Sequence, residues 1–277
     1  MPALSPDAPA PVHIDTTKAS IARVYDAFLN GKDNYEIDRE VLRRVQQVTP
    51  EAATLAVDNR GFLIRATRFL ASQTGITQYL DCGSGLPTAE NTHQVVQRLQ
   101  PEARVVYVDN DPVVLAHGRA LLEENDQTHF SAADIFDPEA ILDDPVVREH
   151  IDFSKPVALL QLGTVHHYNG TSPTAQEIMA KYVDALPSGS FVALSHFLDP
   201  ETEELSRLAR RMEQAFLHSP MGSGKFATRA ELLGLFDGLE LVEPGLVICA
   251  DWWPDGPQLK ELAPVSRCIA GAVGWKR

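Results

Sequence analysis

Cysteine is scarce in this chain. Cys82, Cys249 and Cys268 are odd in number and far apart, which argues against a disulfide framework or a Cys-x-x-Cys metal site and suits a reducing compartment. Long apolar runs are missing as well: no stretch approaches the roughly 20 residues that span a bilayer. The opening MPALSPDAPAPVHIDT has four prolines but neither a basic n-region nor an apolar h-region, so residues 1–15 read as a flexible tail rather than a signal peptide. Basic charge is in deficit, with 24 Lys and Arg against 38 Asp and Glu and a net charge of -14. That balance disfavours nucleic acid, anionic membrane and polyanionic substrates as partners. The expected setting is cytoplasmic. Beyond the pair His166-His167 no carboxylate or imidazole cluster suggests a metal, and none is expected.

What is present is an ordinary globular composition, 44% hydrophobic and 22% charged, in 277 residues, enough for one main domain with a full core. SIARVYDAFLNG, EIDREVLRRVQQV and LAVDNRGFLIRATRFLAS carry apolar residues at helical spacing, so residues 16–75 form an N-terminal helical segment. From residue 76 the pattern changes. ITQYL, ARVVYV, HFSAA, PVALLQLG and GSFVALSHF are short apolar or β-branched runs separated by amphipathic stretches, which predicts βαβ units and a doubly wound, mostly parallel α/β sheet over 76–277. FATRAELLGLFDG reads as a helix, and LELVEPGLVICADWW and SRCIAGAVGWK as two strands that add an antiparallel element. Ligands of such sheets bind outside the carboxyl ends of the strands.

The first of those ends carries DCGSGLPT, residues 81–88. Gly83 and Gly85 permit a sharp turn and a close backbone approach to a ligand, although a plain strand-to-helix turn would use them too. The next strand ends in Asp109, whose carboxylate suits the two hydroxyls of an adenosine ribose; Asp111-Pro112 can also cap the following helix. A dinucleotide fingerprint needs a third small residue where this chain has Thr88, after Pro87, so the loop suits a pyrophosphate poorly. No phosphate-binding Gly-x-x-x-x-Gly-Lys-[Ser/Thr] stretch is present. S-adenosylmethionine, which has no phosphate, is the better match, and Asp134 after the third strand can accept from an adenine amino group. Asp134 can equally serve as a helix N-cap.

ARVYDAFLNGKDNYEIDRE, LDCGSGLPTAENTHQV, ARVVYVDNDPVVLAHGRALL, DFSKPVALLQLGTVHHY and FATRAELLGLFDGLELVEPGLV together resemble the S-adenosyl methyltransferase family of actinobacteria, in order as well as kind, from about Asp15 onward. The resemblance implies a class I, Rossmann-like methyltransferase fold with a seven-stranded sheet, its last strand antiparallel, under an N-terminal helical cap. It implies S-adenosylmethionine as cofactor, with Asp81, Gly83, Ser84 and Gly85 at the methionine part, Asp109 on the ribose, Asn110 and Asp134 at the adenine, and Ile135 as a further cofactor-binding residue. Leu162 to His167 would line the methyl-transfer face. Arg23, Tyr25, Lys32 and Asn34, in and before the polar NGKDNY loop, are expected to close over the site, with Asn59 and Arg60 as further candidates. A solvated Arg23 and Lys32 and a core Tyr25 are the bland alternative.

Methyl transfer from a sulfonium requires mainly positioning and desolvation, and a general base only for a protonated acceptor. His166 or His167, with an ordinary pKa near 6.5, is the candidate base; neighbours in an extended segment face opposite ways, so at most one of the two is expected to reach the site. His196 is a third candidate. The chain has no Asn-Pro-Pro-Tyr-type stretch after the fourth strand, which favours a small-molecule O or N acceptor over a base or amide nitrogen. A non-catalytic sensor of the same ligand and a nicotinamide-dependent oxidoreductase are the competing readings. Nothing in the sequence sets the oligomeric state, a homodimer included, and the aromatic pair Trp252-Trp253 reads either as core or as a rim.

Overall fold

The computed structural model of the protein describes residues 14–88, 90–121 and 125–277. Most of the tail expected over 1–15 lies outside the described residues; Ile14 is described and packs on the core. Three helices come first. Ser20 caps α1 (Ile21–Phe28), and Asp38 in the first turn of α2 (Glu36–Gln46) reaches back to accept the Tyr35 N–H at 2.9 Å. The long α3 (Thr54–Gln73) follows.

Strands and helices then alternate: β1 (Gln78–Cys82), α4 (Thr92–Leu99), β2 (Arg104–Val108), α5 (Pro112–Leu121), β3 (Thr128–Ser131), α6 (Pro138–Leu142), α7 (Pro145–His150), β4 (Ala158–Leu162), α8 (Ala175–Ala185), β5 (Phe191–Phe197), α9 (Glu203–Leu217) and α10 (Arg229–Gly234). Thr174 and Thr228 start α8 and α10 in capping boxes with Glu177 and Glu231. The chain closes with β6 (Glu240–Leu241), β7 (Val247–Ile248) and β8 (Ile269–Trp275). Among the described residues the sheet has eight strands in the order β3-β2-β1-β4-β5-β8-β6, with β7 also paired to β8; β1 to β5 are parallel and β8 is antiparallel to β5.

Eight strands in place of seven follow from one break. The run LELVEPGLVICADWW divides into β6 and β7, both paired with β8. Pro244 has no N–H for a ladder, and a turn closes there with Gly245 N–H donating to Val242 O at 2.8 Å. Past β7 the chain leaves the sheet as a 3-10 turn, Cys249–Asp251. Trp252, fully buried, meets Phe62 and Phe69 edge to face, while the Trp253 indole donates to Glu243 O at 2.8 Å.

Both faces of the sheet are covered, which is why β1 and β4 are buried along their whole length. The period of two sends Tyr79, Val105, Leu160 and Leu162 into a core with α1, α2, α3, α5 and α9, and Leu80, Val106, Val108 and Leu159 into a second core with α6, α7, α8 and α10. The N-terminal helices expected over 16–75 therefore share a core with the sheet: the Phe62 ring of α3 comes down on Gly271 of β8, where a Cβ would lie 2.6 Å from it.

Candidate functional site

A cavity of about 570 Å³ opens at the carboxyl ends of β1 to β5, roofed by α1 and the start of α3. That volume is within the range of small-molecule sites. Two glycines shape its floor. Gly83 and Gly85 have φ of +75° and +66°, a region where a Cβ is strained, and a Cβ on Gly83 would lie 2.4 Å from Thr164 Cγ2. The Gly83 and Ser84 N–H groups donate back to Val108 O, at 2.7 and 3.3 Å, so the loop folds over the end of β2.

Two buried carboxylates stand over this loop. Asp109 accepts from Gly85 N–H and Asp111 N–H, each at 2.9 Å. Asp81 accepts from Thr92 Oγ1 at 2.6 Å. Burial pushes both carboxyls up to about 6, against the pull of those donors and, for Asp81, of Arg60. Asn110 and Asp134 are exposed at the rim, and Ile135 is half-buried beside them. Asp134 accepts from Phe136 N–H at 2.9 Å; the helix cap after it is Asp137. Ser84 Oγ is buried in the lining without a hydrogen-bond partner.

Past β4 the cavity changes character. Leu162 and Gly163 lead into the 3-10 turn Val165–His167, and that turn, unlike an extended segment, brings both His166 and His167 to the lining with ring centroids 4.4 Å apart. The expectation that at most one of the pair would reach the site is thereby corrected. Neither keeps an ordinary pKa: burial, with the neighbouring imidazoles, holds His166 well below its usual value and pushes His167 down to about 3. His196 is pushed to about 4 by burial; it is not in the lining, and its Nδ1 donates to Phe197 O at 2.7 Å. His167 Nδ1 meets Ser223 Oγ at 2.9 Å.

Of the N-terminal candidates, Tyr25 lines the cavity, its hydroxyl donating to Ala56 O at 3.2 Å and accepting from Asn59 Nδ2 at 3.1 Å. Asn59 and Arg60 are in the lining too, with Arg60 donating to Glu90 O at 2.9 Å. Arg23, Lys32 and Asn34 are not. Arg23 Nε is 2.9 Å from Asp38 Oδ2, with both side chains buried. Asn34 Nδ2 donates to the buried Asp26 at 2.7 Å, and Lys32 is exposed. The buried carboxylates of Asp38 and Asp26 thus hold the donors of Arg23 and Asn34.

The roof itself is firmly tied, since Ser20 Oγ donates to Asp111 across the mouth of the cavity. Sequence reasoning missed Phe28, Phe197, Phe216 and Met221, all in the lining; they arrive from α1, β5, α9 and the segment after it, and no local motif marks them. Among the described residues, no group of three His, Cys, Asp or Glu side chains is placed to hold a metal ion, and no helix is long and apolar enough to cross a membrane.

A family model for S-adenosyl methyltransferases matches residues 7–277. Among solved structures, a candidate methyltransferase of Thermobifida fusca is 42% identical, with a TM-score of 0.87, over 95% of this chain and 97% of its own. A DUF574 family protein of Streptomyces avermitilis is 36% identical, with a TM-score of 0.85, over 96% of this chain and 100% of its own. No curated protein matches the chain.

Proposed function

The chain belongs to the S-adenosyl methyltransferase family, and on that premise we propose that it transfers the methyl group in line to an oxygen or nitrogen of a small-molecule acceptor bound in the same cavity. It is an S-adenosylmethionine-dependent methyltransferase with the class I, Rossmann-like fold. The observation that carries the finer reading is the division of one cavity into a carboxylate-lined part at β1 to β3 and an imidazole- and phenyl-lined part at β4, β5 and α9.

The residues of the first part fit the cofactor. Asp81 and Asp109 are buried acids whose raised carboxyls would be stabilised in ionised form by an ammonium and by ribose hydroxyls. Ser84 Oγ is a buried hydroxyl with no protein partner, which a ligand's polar group would satisfy. We assign Asp109 to the ribose, Asp81 with Gly83, Ser84 and Gly85 to the methionine part, Asn110, Asp134 and Ile135 to the adenine, and Leu162 and Tyr25 to the walls. Arg23, Lys32 and Asn34 have no place in this assignment. A dinucleotide is the poorer occupant, because α4 begins only at Thr92 and presents no helix N-terminus directly at the glycines.

When bound, S-adenosylmethionine supplies a methyl group on a positively charged sulfur that departs as a neutral thioether. The chain's own residues then have two tasks: the roof of α1 and the apolar wall exclude water, and a neutral imidazole in the second part, His166 or His167, receives the acceptor's proton. Base candidates in that part, rather than a closed apolar wall, favour catalysis over sensing.

Thermal unfolding with S-adenosylmethionine, S-adenosylhomocysteine and NAD tests the reading. At a hundredfold the dissociation constant, the first two should each stabilise the protein by about 2.7 kcal/mol, a rise of several degrees. A shift with NAD alone would overturn it.

A further inference from the structure

We propose that Thr92 is a positioning residue for the cofactor: its hydroxyl holds one oxygen of Asp81 from behind the cavity wall and leaves the other for the ammonium of the methionine part. This deepens, and rests on, the assignment of Asp81 to that part above.

The first support is a deficit of donors. Among the described residues the buried carboxylates are Asp26, Asp38, Asp81 and Asp109. Asp38 accepts from Ser20 N–H, Tyr35 N–H and Arg23 Nε, Asp26 from Asp33 N–H and Asn34 Nδ2, and Asp109 from Gly85 N–H and Asp111 N–H. Asp81 accepts from Thr92 Oγ1 alone, at Oδ2 and 2.6 Å. A buried carboxylate with a single donor is under-satisfied, and a bound cation supplies what it lacks.

The second is the place of the open oxygen. Asp81 Oδ1 accepts no hydrogen bond among the described residues, yet it is not one of the fully enclosed polar atoms without a partner, as Ser84 Oγ is. That oxygen therefore keeps some surface, and Asp81 lines the cavity. Thr92 does not line it. Only 2% exposed, Thr92 meets the carboxylate from the side of α4.

The third is the rigidity of the holder. Asp81 and Tyr107 are partners in the β1–β2 register, so both side chains project to one face of the sheet. There the first turn of α4 is joined to both strands by consecutive residues: Thr92 Oγ1 reaches Asp81, and His93 N–H donates to the Tyr107 hydroxyl at 2.9 Å. The residue before them is fixed as well, since Asn91 N–H donates to Gln94 Oε1 and Asn91 Oδ1 accepts the Thr88 N–H, each at 2.9 Å. A branched Cβ restricts χ1, so a fixed backbone also fixes the direction of the hydroxyl.

The consequence for transfer is directional. The methionine chain joins the ammonium to the sulfonium, so a carboxylate held in one orientation anchors the chain whose sulfur carries the methyl group. Thr92 also favours the charged form of Asp81: burial raises that carboxyl to about 6 against the Thr92 hydroxyl and the Arg60 charge. The other titratable groups about it are Cys82 next to it on β1, Tyr107 on β2 with His93 of α4 against it, and Asp109 past β2.

The full chain would be titrated calorimetrically at pH 7 with S-adenosylhomocysteine and with its deamino analogue, in which hydrogen replaces the α-amino group. The wild-type protein should bind the first at least about tenfold more tightly. Thr92→Val, which keeps the shape and removes the donor, should lower that preference by about tenfold, the worth of one hydrogen bond, with little change in affinity for the analogue. Thr92→Ser should restore most of it. The pH below which the preference fades should rise in Thr92→Val by about one unit; Asp109 meets both ligands through the ribose, so its own titration cancels in the ratio. An unchanged preference in Thr92→Val overturns the proposal, and so does equal weakening of both ligands, which a merely structural Thr92 would produce. If the valine variant does not fold, Thr92→Cys, a weak donor of similar size, carries the same expectation. Failure of the wild-type protein to bind S-adenosylhomocysteine defeats the methyl-transfer reading and the proposal with it, whereas binding with no preference over the analogue defeats the proposal alone.

Discussion

The backbone N–H of Gly85 donates to the Asp109 carboxylate across 2.9 Å, so the loop after β1 is fastened to the end of β2 by a side chain that also faces the cavity. The other carboxylate oxygen holds Asp111 N–H, and Asp111 in turn caps α5 through Val113 N–H at 2.7 Å. Asp109→Ala removes the fastening and the proposed ribose partner together. A hydrogen bond to a charged group contributes roughly 1.5–3 kcal/mol, so the dissociation constant of S-adenosylhomocysteine should rise about 10- to 100-fold, as read by calorimetry. An unchanged constant would remove Asp109 from the cofactor site.

Affinity should depend on pH in a stated direction. Asp81 and Asp109 are raised from 3.8 to about 6 by burial, so the folded, ligand-free protein holds these protons more tightly than the unfolded chain. Their contribution to stability is full below about pH 4 and is lost as pH rises through about 6. The ligand works the other way, because an ammonium and hydroxyl donors favour the ionised carboxylates. Binding of S-adenosylhomocysteine should therefore weaken below pH 6, by about tenfold per pH unit for each carboxylate engaged. Titrations at pH 5 and pH 7 with equal constants would contradict this.

The two glycines of the loop should differ on substitution. Gly83→Ala combines positive φ with a Cβ 2.4 Å from Thr164 Cγ2, whereas at Gly85 a Cβ meets no atom within 4 Å. Gly85→Ala should cost about 1–2 kcal/mol for the backbone conformation alone, and Gly83→Ala that amount plus about 1–3 kcal/mol of overpacking. Urea unfolding midpoints check the order of the two.

Arg23 and Lys32 should also part company. Arg23→Ala leaves the Asp38 carboxylate, which is fully buried, with a charge and no counter-ion, and should cost about 3–5 kcal/mol of stability. Lys32→Ala lies on the exposed NGKDNY loop and should change stability by no more than about 0.5 kcal/mol. Chemical denaturation of both variants distinguishes a structural Arg23 from a ligand contact, which would weaken cofactor binding without lowering stability.

The alternation of short apolar strands with amphipathic helices, the glycine loop after β1 and the acids near the ends of β1, β2 and β3 were all legible in the sequence. Each is a local pattern: a period of two or 3.6, a residue tolerant of positive φ, a carboxylate at a strand end. LELVEPGLVICADWW reads as one strand across Pro244-Gly245; a ladder cannot run through that pair, and the pairing with β8 shows the strand in two pieces. Other features were decided by tertiary structure. Whether Arg23 and Asn34 face a ligand or a carboxylate depended on Asp38 and Asp26 folding inward. The 3-10 turn brought both His166 and His167 to the cavity and buried them, which reversed the expectation of ordinary basicity. Phe28, Phe197 and Phe216 became one file of rings because three elements distant in the chain pack at one end of the sheet. Local chemistry thus determined where a cofactor can sit, and side-chain packing between distant elements decided what can sit beside it.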